Sequence, residues 1–246
     1  MLNIFSKKTF LVDLLDNFTD MHNHLLPSID DGAESVEKSL TLISAMKELG
    51  FSGSISTPHT MNDYYPNTPV TITNAKEELE NTLTIEGIDF KLSCASEYMM
   101  DGHFLDILDK KEILPLKENY ILVEMSYLQP PLNLEEIIFD ITKNDFIPVL
   151  AHPERYNFFH ATPKKYELLK QRGCKFQLNM LSLSNYYGSS TKKTAYKLIE
   201  DGYYDFIGSD IHHERHIMNL KDIKMKNNIK KSVERLFHQT QDTFSF

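Results

Sequence analysis

Six short apolar runs in this sequence each end in side chains that ligate metals. They are His22 and His24 in DMHNHL, His59 in STPHT, Glu97 in ASEYM, Glu124 in LVEMS, His152 in LAHPER, and Asp210 with His212 in GSDIHH. One imidazole or carboxylate constrains little. Six sets at the same end of successive predicted strands need a fold that brings many strand ends to one place. That points to a polynuclear metal site at the mouth of a barrel, and so to a metallohydrolase.

The hydrophobic pattern agrees. Short β-rich apolar runs fall near 18–25, 53–58, 89–98, 120–127, 147–152, 175–181 and 204–211. Helical stretches lie near 35–49, 70–86, 103–110, 133–144, 163–172, 191–201 and 219–238. In the first interval Val36, Leu40, Ile43 and Met46 recur at helical spacing, and Gly50 supplies the stop. Such alternation implies an α/β chain of parallel strands covered by helices. About seven strand–helix units approach the eight of the standard barrel. An open doubly wound sheet would gather ligands at one switch point, from a few strands. Ligands after six strands fit a closed or nearly closed barrel better.

At 246 residues the chain suits one large domain, since an α/β barrel takes about 250. No linker, low-complexity tract or repeat divides residues 1–246. A net charge of -9 disfavours a nucleic-acid partner, which needs a basic face. Cys94 and Cys174 are far apart and lack metal-site spacing, so no disulfide framework is expected and a reducing cytoplasm is the default. The stretch MLNIFSKKTFLVDLLDNF is broken by Lys7, Lys8, Asp13 and Asp16 and has no cleavage site after it. It reads as an N-terminal extension over residues 1–17, an extra helix or arm packed on the domain. No run reaches the roughly 20 apolar residues that span a bilayer, so membrane insertion is not expected.

Alternation along a strand puts His22 and His24 on one side and Met21 and Asn23 on the other, so the two histidines can grip one ion. Asp30 and Asp31 follow in a turn before a helix, where N-terminal capping is the plain alternative to ligation. Glu97 and Glu124 each interrupt an apolar strand. A buried carboxylate is costly unless paired or coordinated, and a metal or a basic partner would satisfy it. The donors are nitrogen and oxygen without thiolate, which suits manganese, iron or zinc. Nine such side chains exceed what one ion holds, so two or three divalent ions are expected.

Together DMHNH, the Asp-Asp-Gly turn, TPH, SEY, VEMS, AHPERY and SDIH resemble the polymerase-and-histidinol-phosphatase (PHP) superfamily. Within it they are similar to the CpsB/CapC-type tyrosine-protein phosphatases of bacterial capsule and exopolysaccharide systems, over about residues 19–240. The resemblance implies a distorted, TIM-barrel-like (β/α)7 barrel with a trinuclear, commonly manganese-dependent centre. It implies a first ion held by His22, His24, Glu97 and Asp210. Glu97 would bridge to a second completed by Glu124 and His152, and Asp31, His59 and His212 would hold a third. Arg155 matches the family's phosphate arginine. After His212 the chain reads His213-Glu214-Arg215, which makes Arg215 the candidate for a second. The implied substrate is the phosphorylated tyrosine-rich tail of a membrane-associated bacterial tyrosine autokinase that controls polysaccharide export.

Cysteine-dependent phosphatases place an Arg six positions after the nucleophile. Here Met100 and Met180 stand at that spacing from Cys94 and Cys174, so metal-activated hydroxide is the expected nucleophile. Seven of twelve tyrosines follow predicted strands: Tyr64, Tyr65, Tyr98, Tyr127, Tyr156, Tyr186 and Tyr187. They suggest an aromatic rim, with the Tyr64–Tyr65 and Tyr186–Tyr187 pairs stacking on an aryl phosphate. The competing readings are a PHP phosphatase for a small ester such as histidinol phosphate, a PHP nuclease, and a binding protein without catalysis.

Overall fold

Every pairing between strands is parallel in the computed structural model, which describes residues 9–246. The strands are β1 (Phe18–Asp20), β2 (Phe51–Ser56), β3 (His59–Thr60), β4 (Lys91–Cys94), β5 (Glu97–Met99), β6 (Tyr120–Glu124), β7 (Ile147–Ala151), β8 (Lys175–Asn179) and β9 (Phe206–Gly208). The helices are α1 (Val36–Leu49), α2 (Pro69–Ile85), α3 (Gly102–Lys110), α4 (Leu134–Lys143), α5 (Asn157–His160), α6 (Lys164–Gln171), α7 (Ser189–Glu200), α8 (Glu214–Lys221) and α9 (Asn227–Phe244). One sheet has the order β1-β2-β4 and the other β3-β5-β6-β7-β8-β9.

The run expected at 53–58 ends early as β2, with β3 a separate short strand just beyond it, and the run expected at 89–98 is cut into β4 and β5. Pro58 cannot donate to a ladder, and the Ser96 hydroxyl bonds instead to Thr60 Oγ1 at 2.6 Å and to the Pro58 carbonyl at 3.1 Å. Pairing carries across the gap, because Ala95 N donates to Ser56 O at 2.8 Å and Glu97 N to Pro58 O at 3.1 Å. Beyond β1 and β9 the chain pairs again. His24 N donates to Ile211 O at 2.9 Å, and Asp210 N to His22 O at 2.7 Å.

Helices pack their apolar faces on the outside of the strands, with Leu42, Ile43 and Met46 of α1 and Ile137, Ile138 and Ile141 of α4 buried. A second cluster takes Ile55, Leu122, Val149 and Phe206 from four strands, and Phe244 of α9 packs among them. Leu122 and Glu124 share a face of β6 by alternation, so that apolar cluster and the polar site occupy successive levels of one face.

The N-terminal extension is described only from Thr9, and residues 1–8 lie outside the described part. Leu11–Leu14 forms one 3-10 turn that buries Leu11, and Leu15 is buried after it. Leu11 N donates to Ile223 O at 2.9 Å and Met225 N to Thr9 O at 3.1 Å. Those bonds take the backbone at 223–225 out of the helix expected over 219–238, which is therefore two helices, α8 and α9.

Candidate metal centre

The site grows from strand ends. His22 and His24 follow β1, His59 opens β3, Glu97 opens β5, Glu124 closes β6, His152 follows β7, and Asp210 and His212 follow β9. His152 and Asp210 have φ of +36° and +55°, a region that costs a non-glycine residue of order 1–3 kcal/mol. Both are locked there by their backbone amides, His152 N to Gln177 O at 2.9 Å and Asp210 N to His22 O at 2.7 Å.

Three groups of donors share members, each with its ligand atoms within 4.8 Å of one another: His22, His24, Glu97 and Asp210; His59, Glu97 and Glu124; and His24, Asp31, His59 and His212. Glu97 joins them. Its Oε2 lies 3.1 Å from His22 Nε2, 3.4 Å from His24 Nε2 and 3.3 Å from His59 Nδ1, while its Oε1 lies 3.2 Å from His152 Nε2. His59 Nδ1 is also 2.9 Å from Glu124 Oε1. Asp31 Oδ1 stands 3.4 Å from His59 Nε2 and 3.5 Å from His212 Nε2.

The polar atoms of this cluster fit divalent ions. His24 Nε2, His59 Nδ1, Glu97 Oε1 and Glu124 Oε1 are buried and close to one another yet lack well-aligned hydrogen bonds, a costly condition that coordination relieves. Burial alone would push protons off His24 and His59, yet the carboxylates, Asp30 for one and Glu124 for the other, outweigh it and hold both well above the ordinary imidazole range. Burial would likewise raise the carboxyls of Glu97 and Asp210. The imidazoles, His22 first, instead hold both well below their usual range.

A further layer aims the ligands. Gln177 Nε2 donates to Leu178 O at 2.6 Å, so its Oε1 accepts from His22 Nδ1 at 3.1 Å. That holds a proton on Nδ1 and leaves Nε2 as the nitrogen facing Glu97 and Asp210, free to ligate once a metal displaces its proton. Asp30 does the same for His24, with Oδ2 2.7 Å from Nδ1. The capping reading of Asp30 and Asp31 does not hold, because Ser35 caps α1. Asn179 Nδ2 donates to Asp210 Oδ2 at 2.8 Å. Asn179 N in turn donates to the buried Glu154 carboxylate at 3.0 Å.

A cavity of about 430 Å³ opens over the donors and is lined by Glu124, His152, Asp210 and Arg155 among others. Arg155 Nη1 donates to Asp210 Oδ2 at 2.7 Å. Its guanidinium carbon lies 4.7 Å from the Tyr127 ring and 4.1 Å from the Tyr187 ring. Of the tyrosines named for stacking, Tyr65 and Tyr187 line the cavity; Tyr64 and Tyr186 do not. Tyr64 is 74% exposed, and Tyr186 packs edge-on against Tyr187 and His216. Tyr98 and Tyr156 leave the expected rim altogether. Both are core residues whose hydroxyls accept from Leu114 N and Met125 N. Arg215 is outside the cavity lining, exposed on α8, with its guanidinium 5.8 Å from the Tyr186 ring. Burial pushes the Cys174 thiol up to about 12 and raises that of Cys94, which leaves neither as a ready thiolate.

Linked imidazole–carboxylate groups on the ends of parallel strands, with an arginine beside them, define a metal-dependent hydrolase of the kind that handles anionic esters. The chain belongs to the CpsB/CapC family of capsular polysaccharide synthesis, whose family model matches residues 18–241. It is 31% identical over 194 residues to the tyrosine-protein phosphatase YwqE of Bacillus subtilis, across 78% of this chain and 76% of that protein. It is 27% identical over 205 residues to the tyrosine-protein phosphatase CpsB of Streptococcus pneumoniae, across 78% and 82%. Its structure matches one from a study of YwqE and CpsB as metal-dependent tyrosine phosphatases, with a TM-score of 0.76 and 27% identity over 90% of this chain and 95% of the other. The lactonase Lmo2620 of Listeria monocytogenes, at 14% identity and a TM-score of 0.59, shares the fold alone.

Proposed function

We propose that this protein is a metal-dependent protein-tyrosine phosphatase that regulates capsular or exopolysaccharide synthesis. The observation that carries the reading is Arg155, held between two tyrosine rings at the edge of three linked donor groups. The nine short strands, which fall at or just beyond seven expected apolar runs, are read as a distorted (β/α)7 barrel spanning one domain, residues 1–246.

His22, His24, Glu97 and Asp210 would hold a first ion; Glu97, Glu124 and His152, with His59 close by, a second; Asp31, His59 and His212 a third. Manganese is the proposed metal, with iron or zinc compatible with the same donors. Bound divalent ions supply Lewis acidity at phosphate oxygens and lower the pKa of a coordinated water toward neutrality.

The chain's own residues do the rest. Asp210 occupies one Arg155 donor, and a guanidinium has five, so the others remain to clamp phosphate oxygens with charge-assisted bonds. Tyr127 and Tyr187 hold the guanidinium plane, and with Tyr65, stacked 5.7 Å from His59, they present aromatic walls to a phenyl ring. Tyrosine's phenolate has a conjugate-acid pKa of about 10 and is a fair leaving group. The proposed substrate is the phosphotyrosine tail of a bacterial tyrosine autokinase. No helix among the described residues is long and apolar enough to cross a membrane. The encounter with a membrane-associated kinase is proposed to occur on the membrane's cytoplasmic side.

A substrate panel tests this. Manganese-loaded protein should hydrolyse a phosphotyrosine peptide faster than its phosphoserine counterpart, histidinol phosphate or single-stranded DNA. A preference for histidinol phosphate, or equal rates on the two peptides, would overturn the assignment.

A further inference from the structure

The segment that carries Tyr187 into the metal cavity leads directly to a cationic face. Tyr187 lines the cavity beside Arg155, Gly188 turns the chain at φ +94°, and α7 begins at Ser189. Lys192 and Lys193 stand near the start of that helix and Lys197 in its last turn. With Lys226 from the start of α9 they edge a surface hollow of about 410 Å³, whose walls include Asn185 and Ser189 of the same connecting segment. Lys226 Nζ lies 4.9 Å and Lys192 Nζ 5.9 Å from the centre of the Tyr196 ring, so one aromatic side chain steadies two ammonium groups.

The local charges are unbalanced. Lys197 pairs with Asp201 at 2.7 Å. Glu200 also faces the hollow, but its Oε1 accepts from Asn228 Nδ2 at 2.8 Å. Among the described residues Lys192, Lys193 and Lys226 have no carboxylate within ion-pair distance. The whole chain carries a net charge of -9 and repels anionic polymers at long range. Free ammonium groups beside the site therefore set where, and in which direction, an acidic chain can approach.

We propose that this face seats acidic residues flanking the phosphotyrosine in the substrate chain, an inference that rests on the phosphotyrosine reading above. From Ser189 to Lys192 the helix rises only about 4.5 Å, and an extended peptide advances about 3.3 Å per residue. The lysines thus meet side chains within about five positions of the phosphotyrosine. A peptide fits better than a lipid surface. The hollow is concave, and none of the exposed large apolar residues that would enter a bilayer belongs to it.

The test compares the manganese-loaded protein with its Lys192→Glu/Lys193→Glu/Lys226→Glu variant on three substrates. They are a phosphotyrosyl peptide with glutamates on both sides, the same peptide with serines there, and p-nitrophenyl phosphate. The unaltered protein should prefer the acidic peptide, and the preference should shrink as salt rises to about 0.5 M. The variant should lose about tenfold in kcat/KM on the acidic peptide, mostly through KM, and keep its rate on the aryl phosphate. The Lys→Gln triple variant, which avoids charge reversal should the first misfold, should lose about threefold in the same order. Equal kcat/KM for unaltered and variant proteins on the acidic peptide would overturn the docking role alone. So would unchanged peptide turnover combined with lost binding to phosphatidylserine vesicles, since the face would then serve lipid. Turnover of the aryl phosphate but of neither peptide by the unaltered protein would overturn the phosphotyrosine reading, and the docking role with it.

Discussion

A Cβ added to Gly32 would fall 2.2 Å from the backbone oxygen of His24 and 2.5 Å from its Cβ. Only glycine lets the Asp-Asp-Gly turn lie that close, and the approach is what delivers Asp30 to His24 Nδ1 and Asp31 to the outer donor group. Gly32→Ala should therefore lose bound metal, read by elemental analysis, and most turnover with it. Full metal content in that variant would show that the close approach is dispensable. Arg155→Ala should behave oppositely. Asn179 still holds Asp210, so metal should stay while kcat/KM falls by about 2–4 kcal/mol of transition-state stabilisation; loss of metal would mean that Arg155 serves the ligands rather than the phosphate. Replacing Cys94 and Cys174 together by Ser should leave turnover within a few-fold, and a folded but dead variant would revive a thiol nucleophile. The ligands were legible in the sequence because a histidine or carboxylate at a strand end stands out from its apolar neighbours. Gln177 and Asn179 were not, since neutral amides raise no alarm in a strand. Their i, i+2 spacing in KFQLN was the available signal. Tyr98 and Tyr156 misled because position after a strand does not say whether a ring turns to the cavity or the core.

Strand ends were easier to read than strand lengths. The expected runs at 53–58 and 89–98 contain β2 with its link to β3 and β4 with β5, but Pro58 and the Ser96 hydroxyl divert the ladder in ways that an apolar count does not register. The break between α8 and α9 has no proline or glycine to announce it. It arises from pairing with Thr9 and Leu11, more than 200 residues away in sequence, a tertiary cause invisible to a local window. α9 spans Asn227–Phe244 and packs against β1 and β9. Phe237 meets Phe18 edge-to-face at 4.8 Å, and Thr240 Oγ1 accepts from Ile207 N at 2.9 Å. Since β1 and β9 lead directly to His22, His24, Asp210 and His212, this helix braces the strands that carry four of the donors. Leu236, 1% exposed, should cost about 2–5 kcal/mol when cut to Ala, measured by urea unfolding. A change below 0.5 kcal/mol would show that α9 is a loose cover rather than a brace.

At the scale of the whole molecule the buried site is an electrostatic problem with two solutions, protons or metal ions. In metal-free protein Glu97 and Asp210 are kept ionised and His24 and His59 are held protonated well above the usual imidazole range. A group whose folded pKa is raised contributes stability that is fully present below its unfolded value, about 6.5 for histidine, and lost as pH rises through the folded value. Glu97 and Asp210 run the other way, their folded values being depressed. Their contribution is present above about pH 4 and lost only on acidification below it. His213 and His216, whose values are depressed, add stability with rising pH only up to about pH 6.5. From there to pH 9 His24 and His59 decide the sign, and metal-free protein should become less stable as pH rises. Metal binding needs neutral imidazole and releases those protons, so apparent affinity rises over the same interval. The stabilisation supplied by a ligand of the folded state grows with concentration over Kd. The gain in Tm on adding manganese should thus be small near pH 6 and larger near pH 8.5, with proton release detectable in weakly buffered solution. Chelation should abolish phosphatase activity at every pH and manganese restore it. A Tm gain that is flat or falling across this range would mean that the histidines are not the protonated partners of these carboxylates, and full activity without metal would remove the basis for a metal-dependent centre here.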